Sequence, residues 1–150
     1  GSAARDIAAG VLNDEVDGEI RDDEWVGLYS FLVEYVLPDL AASELWGRVE
    51  RATTVYIEEP LHGVASVNGV DVEVQGAADL VLVMPDGTYH VEELKVGLAP
   101  ATDALRRRYR CQAKAYQCVL DQQVDPTVSV ESRVTTVGAV AETYAARSPA

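Results

Sequence analysis

The chain has 150 residues, 25 of them acidic and 12 basic, and a formal net charge of −13. This length predicts a single domain over 1–150 with room for a sizeable core. A hydrophobic content of 48% excludes the disordered class. No apolar run reaches the roughly 18 residues that a membrane span requires. We therefore expect a soluble, cytoplasmic, globular protein with no membrane partner.

The acidic charge opposes nucleic-acid binding in general, because proteins hold phosphates through Lys and Arg side chains that displace counterions. Abundant Asp and Glu with scarce lysine is also typical of a halophilic protein, since the Debye length falls to about 3 Å at 1 M salt. Under such screening a local basic patch matters more than the net charge. The composition therefore leaves a nucleic-acid ligand open.

The chain has two cysteines, Cys111 and Cys118. On a helix this spacing places them on one face about 10 Å apart along the axis, which is too far for a disulfide. We expect both to be small buried side chains. With only these thiols, the chain by itself supports neither a four-thiolate zinc site nor an iron–sulfur cluster.

Apolar residues at helical spacing predict N-terminal helices over about 3–53. The expected helices are Ser2 to Val16, Asp22 or Asp23 to Leu37, and Asp39 to Thr53. Pro38 separates the last two, because proline lacks the amide hydrogen that a helix interior needs.

A run of strands follows, separated by turn residues. Asn68-Gly69 is a two-residue hairpin signal, and Pro85-Asp86-Gly87 predicts a second tight turn. The predicted strands are Thr53 to Ile57, Leu61 to Val67, Val70 to Met84 and Tyr89 to Val96.

Thr102 or Asp103 is expected to cap a long helix that ends at about Gln122. A strand is predicted at Thr127 to Val137, and a last helix at Gly138 to Ala146. This order of elements predicts an α+β fold with an α/β/α sandwich-like arrangement, in which helices flank a mixed central β-sheet.

Charged residues stand on the second predicted hairpin, with Asp79 on its first strand and Glu93 and Lys95 on its second. Side chains alternate between the faces of a strand, so Glu93 and Lys95 share one face while Glu92 and Leu94 point to the other. If the turn brings Asp79 beside Glu93, two carboxylates and an ammonium group converge. Such a cluster favours a divalent cation.

The predicted long helix carries a strongly positive stretch of residues: Arg106, Arg107, Arg108, Arg110 and Lys114. This stretch is either a solvated face or a phosphate-binding one. At about 100° per residue, Arg108 shares a face with Gln112, and Arg107 points away from it. Arg108 is therefore expected to contribute more to nucleic-acid binding than Arg107.

Three motifs stand in order along the chain: Gly76-Ala77-Ala78-Asp79-Leu80, Glu93-Leu94-Lys95 and Gln112-Ala113-Lys114-Ala115-Tyr116. They resemble the PD-(D/E)xK nuclease superfamily, most closely its RecB-like exonuclease branch. In that branch a glycine and a carboxylate, an acid-x-lysine and a Q-x-x-x-Y helix recur in this order. The likeness covers a motif-bearing core of about 46–137 and implies a restriction-endonuclease-like core.

The resemblance implies a magnesium-dependent enzyme that hydrolyses DNA phosphodiester bonds in DNA repair, recombination or the processing of phage and mobile-element DNA. Asp79, Glu93 and the backbone carbonyl of Leu94 would hold the metal, with Mn²⁺ as a substitute for Mg²⁺. Lys95 would orient or deprotonate the attacking water.

The resemblance also gives roles to the helix that follows the hairpin. Gln112 and Tyr116 would brace the site or touch the DNA strand. Phosphates would be contacted by Arg106, Arg108, Arg110 and Lys114. DNA is then the expected partner, together with a helicase or another subunit of a DNA-processing complex.

The chain departs from the family pattern in places. The helix before the strands, where a histidine often stands, has none, and Glu50 either replaces it as a metal ligand or lies on the surface. Glu59 is a weaker candidate ligand. Glu92 takes a place that is usually apolar, and His62 and His90 fall off the motif face, so both histidines are interpreted as structural.

Two other interpretations stay open. The chain could be a catalytically inactive, nuclease-like module for binding or assembly in a larger complex, although the joint presence of Asp79, Glu93 and Lys95 argues against it. Alternatively, the motifs are accidental, and the chain is a structural α+β protein in which Lys95 is a surface lysine. Opposite sheet faces for Asp79 and Glu93 would end the nuclease interpretation.

Overall fold

The structure, a computed structural model, describes residue 34 and residues 36–96 and 102–137. Its elements within these ranges are α1 (Leu37–Ala41), α2 (Glu44–Arg51), β1 (Thr54–Val67), β2 (Val70–Val83), β3 (Tyr89–Val96), α3 (Asp103–Gln123) and β4 (Val130–Val137). The predicted helices at Ser2 to Val16 and Gly138 to Ala146 lie outside the described residues, as does most of the helix that was expected to end at Leu37.

The four strands form one sheet in the order β1-β2-β3-β4. β1 is antiparallel to β2, and β2 is antiparallel to β3. β3 and β4 begin at the same end of the sheet, where the Tyr89 amide donates to the Ser129 carbonyl at 2.9 Å, and α3 connects them. The predicted α+β fold with a mixed sheet and helices is confirmed, while a restriction-endonuclease-like core stays a prediction.

The predicted single helix from Asp39 to Thr53 is wrong, because two short helices replace it. α1 ends at Ala41 and α2 begins at Glu44, with Ser43 between them. The Ser43 hydroxyl donates to the Leu40 carbonyl at 2.6 Å and accepts from the Trp46 amide at 3.2 Å. Ser43 therefore closes one helix and caps the next.

Both predicted turns are confirmed. Asn68 and Gly69 have φ angles of 51° and 77°, as a two-residue hairpin loop with two left-handed positions requires. At the second turn Gly87 has a φ of 88°, and the Asp86 carboxylate accepts from the Thr88 amide at 2.9 Å. That hydrogen bond lowers the pKa of Asp86. The prediction of two strands at Thr53 to Ile57 and Leu61 to Val67 is wrong, since β1 continues through Glu58-Glu59-Pro60 as one strand.

α3 begins as predicted, with the Thr102 hydroxyl accepting from the Leu105 amide at 3.1 Å. One side of the helix packs on the sheet, and the buried cluster there includes Leu61, Ala65, Val74, Ala78, Val81, Val91, Tyr116, Val119 and Leu120. Cys118 borders this cluster, but Cys111 is exposed. The prediction that Cys111 is buried is therefore wrong, because its side of α3 faces away from the core.

The described residues fall into two compact units. One contains 48–94 and 102–135, and the other contains 34, 36–47, 95–96 and 136–137. Asp79, Glu93 and α3 belong to the first unit, and Lys95 belongs to the second. The single domain over 1–150 and the core over 46–137 stay predictions. No helix in the described ranges is long and apolar enough to cross a membrane.

Candidate active site

Asp79 of β2 and Glu93 of β3 are tied to each other's strands by their carboxylates. The Glu93 Oε2 atom accepts from the Asp79 amide at 2.8 Å, and the Asp79 Oδ2 atom accepts from the Leu94 amide at 2.7 Å. Glu93 is only 2% exposed, and Asp79 is half-buried. These reciprocal hydrogen bonds fix both acidic side chains against the backbone, as a preorganised site requires.

The carboxylates stand where the pairing of β2 with β3 ends. The ladder runs from Val83 opposite Tyr89 to Leu80 opposite Glu92. Continued by one residue, this register would place Asp79 opposite Glu93. Here side-chain oxygens, rather than strand carbonyls, bind the amides of Asp79 and of Leu94. The amides at this edge are thus satisfied by the acidic side chains themselves.

The side chains of β2 stop alternating strictly between the two faces of the sheet near Asp79. Val74 and Ala78 belong to the same buried cluster, and so does Val81, three residues after Ala78. Strict alternation would send Ala78 and Val81 to opposite faces of the sheet. Asp79 lies inside this shift, which sequence periodicity alone does not reveal.

β1 shares the irregularity. Glu58 stands opposite Asp79, between the paired residues Ile57 and Glu59, and the β1–β2 ladder omits it. Its φ of 52° lies in the left-handed region, which is uncommon for a residue other than glycine. Strand irregularities and left-handed residues of this kind cluster at functional sites.

Tyr116 of α3 covers Gly76 and approaches both carboxylates. A methyl group added at Gly76 would overlap the Tyr116 hydroxyl. Burial raises the pKa of Tyr116, and the negative charges of Glu93 and Asp79 raise it further, while a hydrogen bond from the Gln112 side chain lowers it. The phenol is therefore held in its neutral form. Glycine, both acids and the Q-x-x-x-Y helix meet in one place.

Lys95 is half-buried and follows Glu93 by two residues in β3, so strand alternation assigns both to one face. Of the predicted site residues, the structure brings together Asp79, Glu93, Gln112 and Tyr116. For Lys95, the structure gives its place in β3, two residues after Glu93.

The donor set at this site consists of oxygen atoms, which Mg²⁺ prefers in proteins. Asp79 and Glu93 provide carboxylates, and the Leu94 amide is already bound to Asp79, which places the Leu94 peptide beside them. Within the described ranges, no third Asp, Glu, His or Cys joins the pair in a metal-binding group. Glu50 is exposed on α2 and Glu59 is half-buried in β1. The residues present fit a magnesium ion that keeps several water ligands.

The opposite face of β3 carries a buried ion pair that sequence reasoning missed. Glu92 is fully buried, and its carboxylate accepts from Arg48 of α2 through two hydrogen bonds, at 2.7 and 3.0 Å. Arg133 of β4 lies 3.9 Å from Glu92 and bonds to His90 at 2.7 Å. The predicted placement of Glu92 and His90 away from the motif face is thus borne out. A glutamate inside an apolar strand was the signal for a cationic partner.

The basic residues of α3 divide between different sides of the helix. Arg106 pairs with Asp103 at 3.1 Å. Arg107, Arg110 and Lys114 line a groove, whereas Arg108 is exposed outside it. The contribution of each to nucleic-acid binding stays a prediction.

The Tyr116 pKa has a consequence for stability at high pH. The folded chain binds the phenolic proton more tightly than the unfolded chain, whose tyrosines titrate near pH 10. The free energy of unfolding should be unaffected by Tyr116 below about pH 10 and should decrease as the pH rises above it. Urea unfolding over a pH series should show a shallower alkaline decrease for Tyr116→Phe than for the wild type. Identical pH curves would contradict the placement of Tyr116 beside the acids.

Gly76 should not tolerate a side chain. We expect Gly76→Ala to lower the free energy of unfolding by about 1–3 kcal/mol, because the new methyl group displaces Tyr116. Urea denaturation of Gly76→Ala, Tyr116→Phe and the double variant measures the coupling, and removal of the hydroxyl should recover part of the loss. Strictly additive effects would contradict the close approach.

Comparison with protein-family models finds no match, and comparison with curated proteins finds none either. A crystal structure of SSO0001 is similar over 91% of this chain and 73% of that chain, with 12% sequence identity and a TM-score of 0.40. A likeness at this TM-score supports no argument about fold or function.

Proposed function

We propose that the chain is a metal-dependent deoxyribonuclease of the PD-(D/E)xK type that hydrolyses DNA phosphodiester bonds. The supporting observation is the reciprocal bonding of Asp79 and Glu93 beside Tyr116, which is packed on Gly76. These residues come from three separate elements. Their approach is what the order of the motifs predicts, and it is unexpected if the motifs are accidental.

Asp79, Glu93 and the Leu94 carbonyl would hold Mg²⁺ or Mn²⁺, which when bound stabilises negative charge on the scissile phosphate and lowers the pKa of a bound water. Lys95 would accept a proton from the attacking water or orient it. Tyr116 and Gln112 would brace the carboxylates. The neutral Tyr116 hydroxyl can donate a hydrogen bond, and its raised pKa keeps it neutral to a higher pH than an ordinary tyrosine.

A role in DNA repair, recombination or mobile-element DNA processing, with a helicase or another subunit as partner, belongs to this proposal. So does a cytoplasmic location. The net charge of −13 favours activity at high salt, where the repulsion between protein and DNA is screened.

The proposal is tested with labelled single- and double-stranded DNA in Mg²⁺, Mn²⁺ or EDTA over a wide range of salt. Cleavage should require the metal. Lys95→Ala should reduce it by about 10²–10⁴-fold, the usual contribution of general acid–base catalysis. The matched control is His62→Ala, since His62 is exposed and contacts Glu73. Absence of cleavage under every condition would favour an inactive binding or assembly module instead.

A further inference from the structure

We infer that the groove lined by Arg107, Arg110 and Lys114 binds the phosphate backbone of single-stranded DNA, on the side of α3 away from the candidate active site. The groove has a volume of about 730 Å³. Besides the three cations, the lining residues of α3 include Cys111, Cys118 and Asp121, and further lining comes from the β1–β2 turn at Asn68. The groove is thus a second surface for the DNA that the proposed function requires.

The positive charge of the groove is local and exceeds the negative charge that lines it. Arg107, Arg110 and Lys114 face one acid, Asp121, among its lining residues. Within the described ranges, none of these three cations forms an ion pair, whereas Arg106 of the same helix is paired with Asp103. Cations left unpaired on one surface of a chain with a net charge of −13 are a binding feature for an anion.

The spacing of the cations fits an extended anion. Arg107, Arg110 and Lys114 follow the i, i+3, i+7 pattern that aligns side chains on one helix face. They span seven residues, which is about 10 Å along the axis. One phosphate ion cannot contact the whole row, but successive phosphates of one strand can. A groove of this volume, within the usual range for a small ligand site, is too small to enclose a duplex.

The groove and the candidate active site lie on different sides of α3. Arg107 precedes Tyr116 by nine residues, which at about 100° per residue places the two on opposite sides of the helix. Arg108, on the Gln112 side, does not line the groove. A strand held at Arg107, Arg110 and Lys114 therefore stays clear of Asp79 and Glu93, and the groove serves retention of DNA rather than chemistry.

Cys111 provides a direct reporter of groove occupancy. Cys111 is exposed and lines the groove, whereas the other cysteine of the chain, Cys118, also lines it but is half-buried and is told apart by its peptide. Alkylation of Cys111 with iodoacetamide is followed by peptide mass spectrometry, with and without oligothymidylate, in EDTA so that no hydrolysis occurs. Oligothymidylate should slow the alkylation of Cys111 in proportion to its binding, which is measured in parallel by fluorescence anisotropy.

Two variants complete the test. Arg107→Ala/Arg110→Ala should weaken oligothymidylate binding by about tenfold. It should also reduce the slope of log affinity against log salt by about 1.4, or about 0.7 for each phosphate contact. Arg51→Ala, which removes an exposed cation of α2 outside the groove, should change neither quantity appreciably.

Specific results would overturn the inference. One is an unchanged rate of Cys111 alkylation while oligothymidylate is bound, and another is no binding of oligothymidylate at low salt. A third is that inorganic phosphate, at the same phosphate concentration, protects Cys111 from alkylation as well as oligothymidylate does. The inference rests on the proposed function only for the choice of DNA as ligand, and the two can fail separately. If oligothymidylate protects Cys111 but no DNA is cleaved in Mg²⁺, the proposed nuclease activity is rejected and DNA binding in the groove is retained. If DNA is cleaved but Cys111 is not protected, DNA binding in the groove is rejected and the nuclease activity is retained.

Discussion

Arg48→Ala should lower the free energy of unfolding by about 3 kcal/mol or more. Arg48 is the bidentate partner of Glu92, a carboxylate with no exposed surface. Removing one partner of a buried pair leaves the other as an uncompensated charge, which costs about 3–5 kcal/mol. Arg133 and His90 lie near Glu92, at 3.9 and 3.7 Å, so we expect the lower end of that range. Urea denaturation gives the value.

Arg51→Ala is the matched control for this change. Arg51 is on the same helix but is exposed, so its loss should alter stability by less than about 0.5 kcal/mol. The double variant Arg48→Met/Glu92→Leu should recover most of the stability, because apolar side chains can replace a buried ion pair at little cost. Equal effects of Arg48→Ala and Arg51→Ala would contradict the buried pair.

Asp79→Asn and Glu93→Gln should each reduce DNA cleavage by more than about 100-fold. The amide oxygen of either substitute can still accept the backbone hydrogen bond that the carboxylate accepts now, so the fold should be retained. The negative charge that would bind the metal is lost. Residues that merely support a metal ligand already contribute about 10–100-fold, so a direct ligand should contribute more.

Charge-matched controls lie on β2 itself. Asp71→Asn and Glu73→Gln make the same chemical changes at exposed positions of that strand, far along it from Asp79. Both should retain cleavage. Initial rates of labelled-DNA hydrolysis in Mg²⁺ compare the four variants with the wild type, and circular dichroism confirms that each one is folded. Rates for Asp79→Asn or Glu93→Gln equal to those of the controls would contradict the assigned roles.

Features set by local chemistry could be predicted from the sequence. Asn68-Gly69 and Gly87 determine the turns because each needs a left-handed conformation, and the Thr102 cap determines where α3 begins. The alternation of side chains along β3 correctly placed Glu93 and Glu92 on opposite faces of the strand. These signals depend on a few neighbouring residues, so no tertiary information was needed.

Features that depend on distant partners could not be predicted. Nothing in the sequence around Glu58 indicates its left-handed conformation, which occurs opposite Asp79 at a position that the β1–β2 ladder omits. The partner of Glu92 stands 44 residues earlier, at Arg48. The exposure of Cys111 depends on which side of α3 packs on the sheet. Tertiary contacts, rather than local propensity, decide each of these.

The most direct test of the account is a calorimetric titration of Mn²⁺ into the wild-type chain at high potassium chloride, which screens the rest of the acidic surface. We expect a specific Mn²⁺ site that is lost in both Asp79→Asn and Glu93→Gln and retained in Asp71→Asn. A wild-type chain without a saturable site, or an Asp79→Asn variant that binds Mn²⁺ as the wild type does, would contradict the claim that Asp79 and Glu93 hold a divalent cation between them.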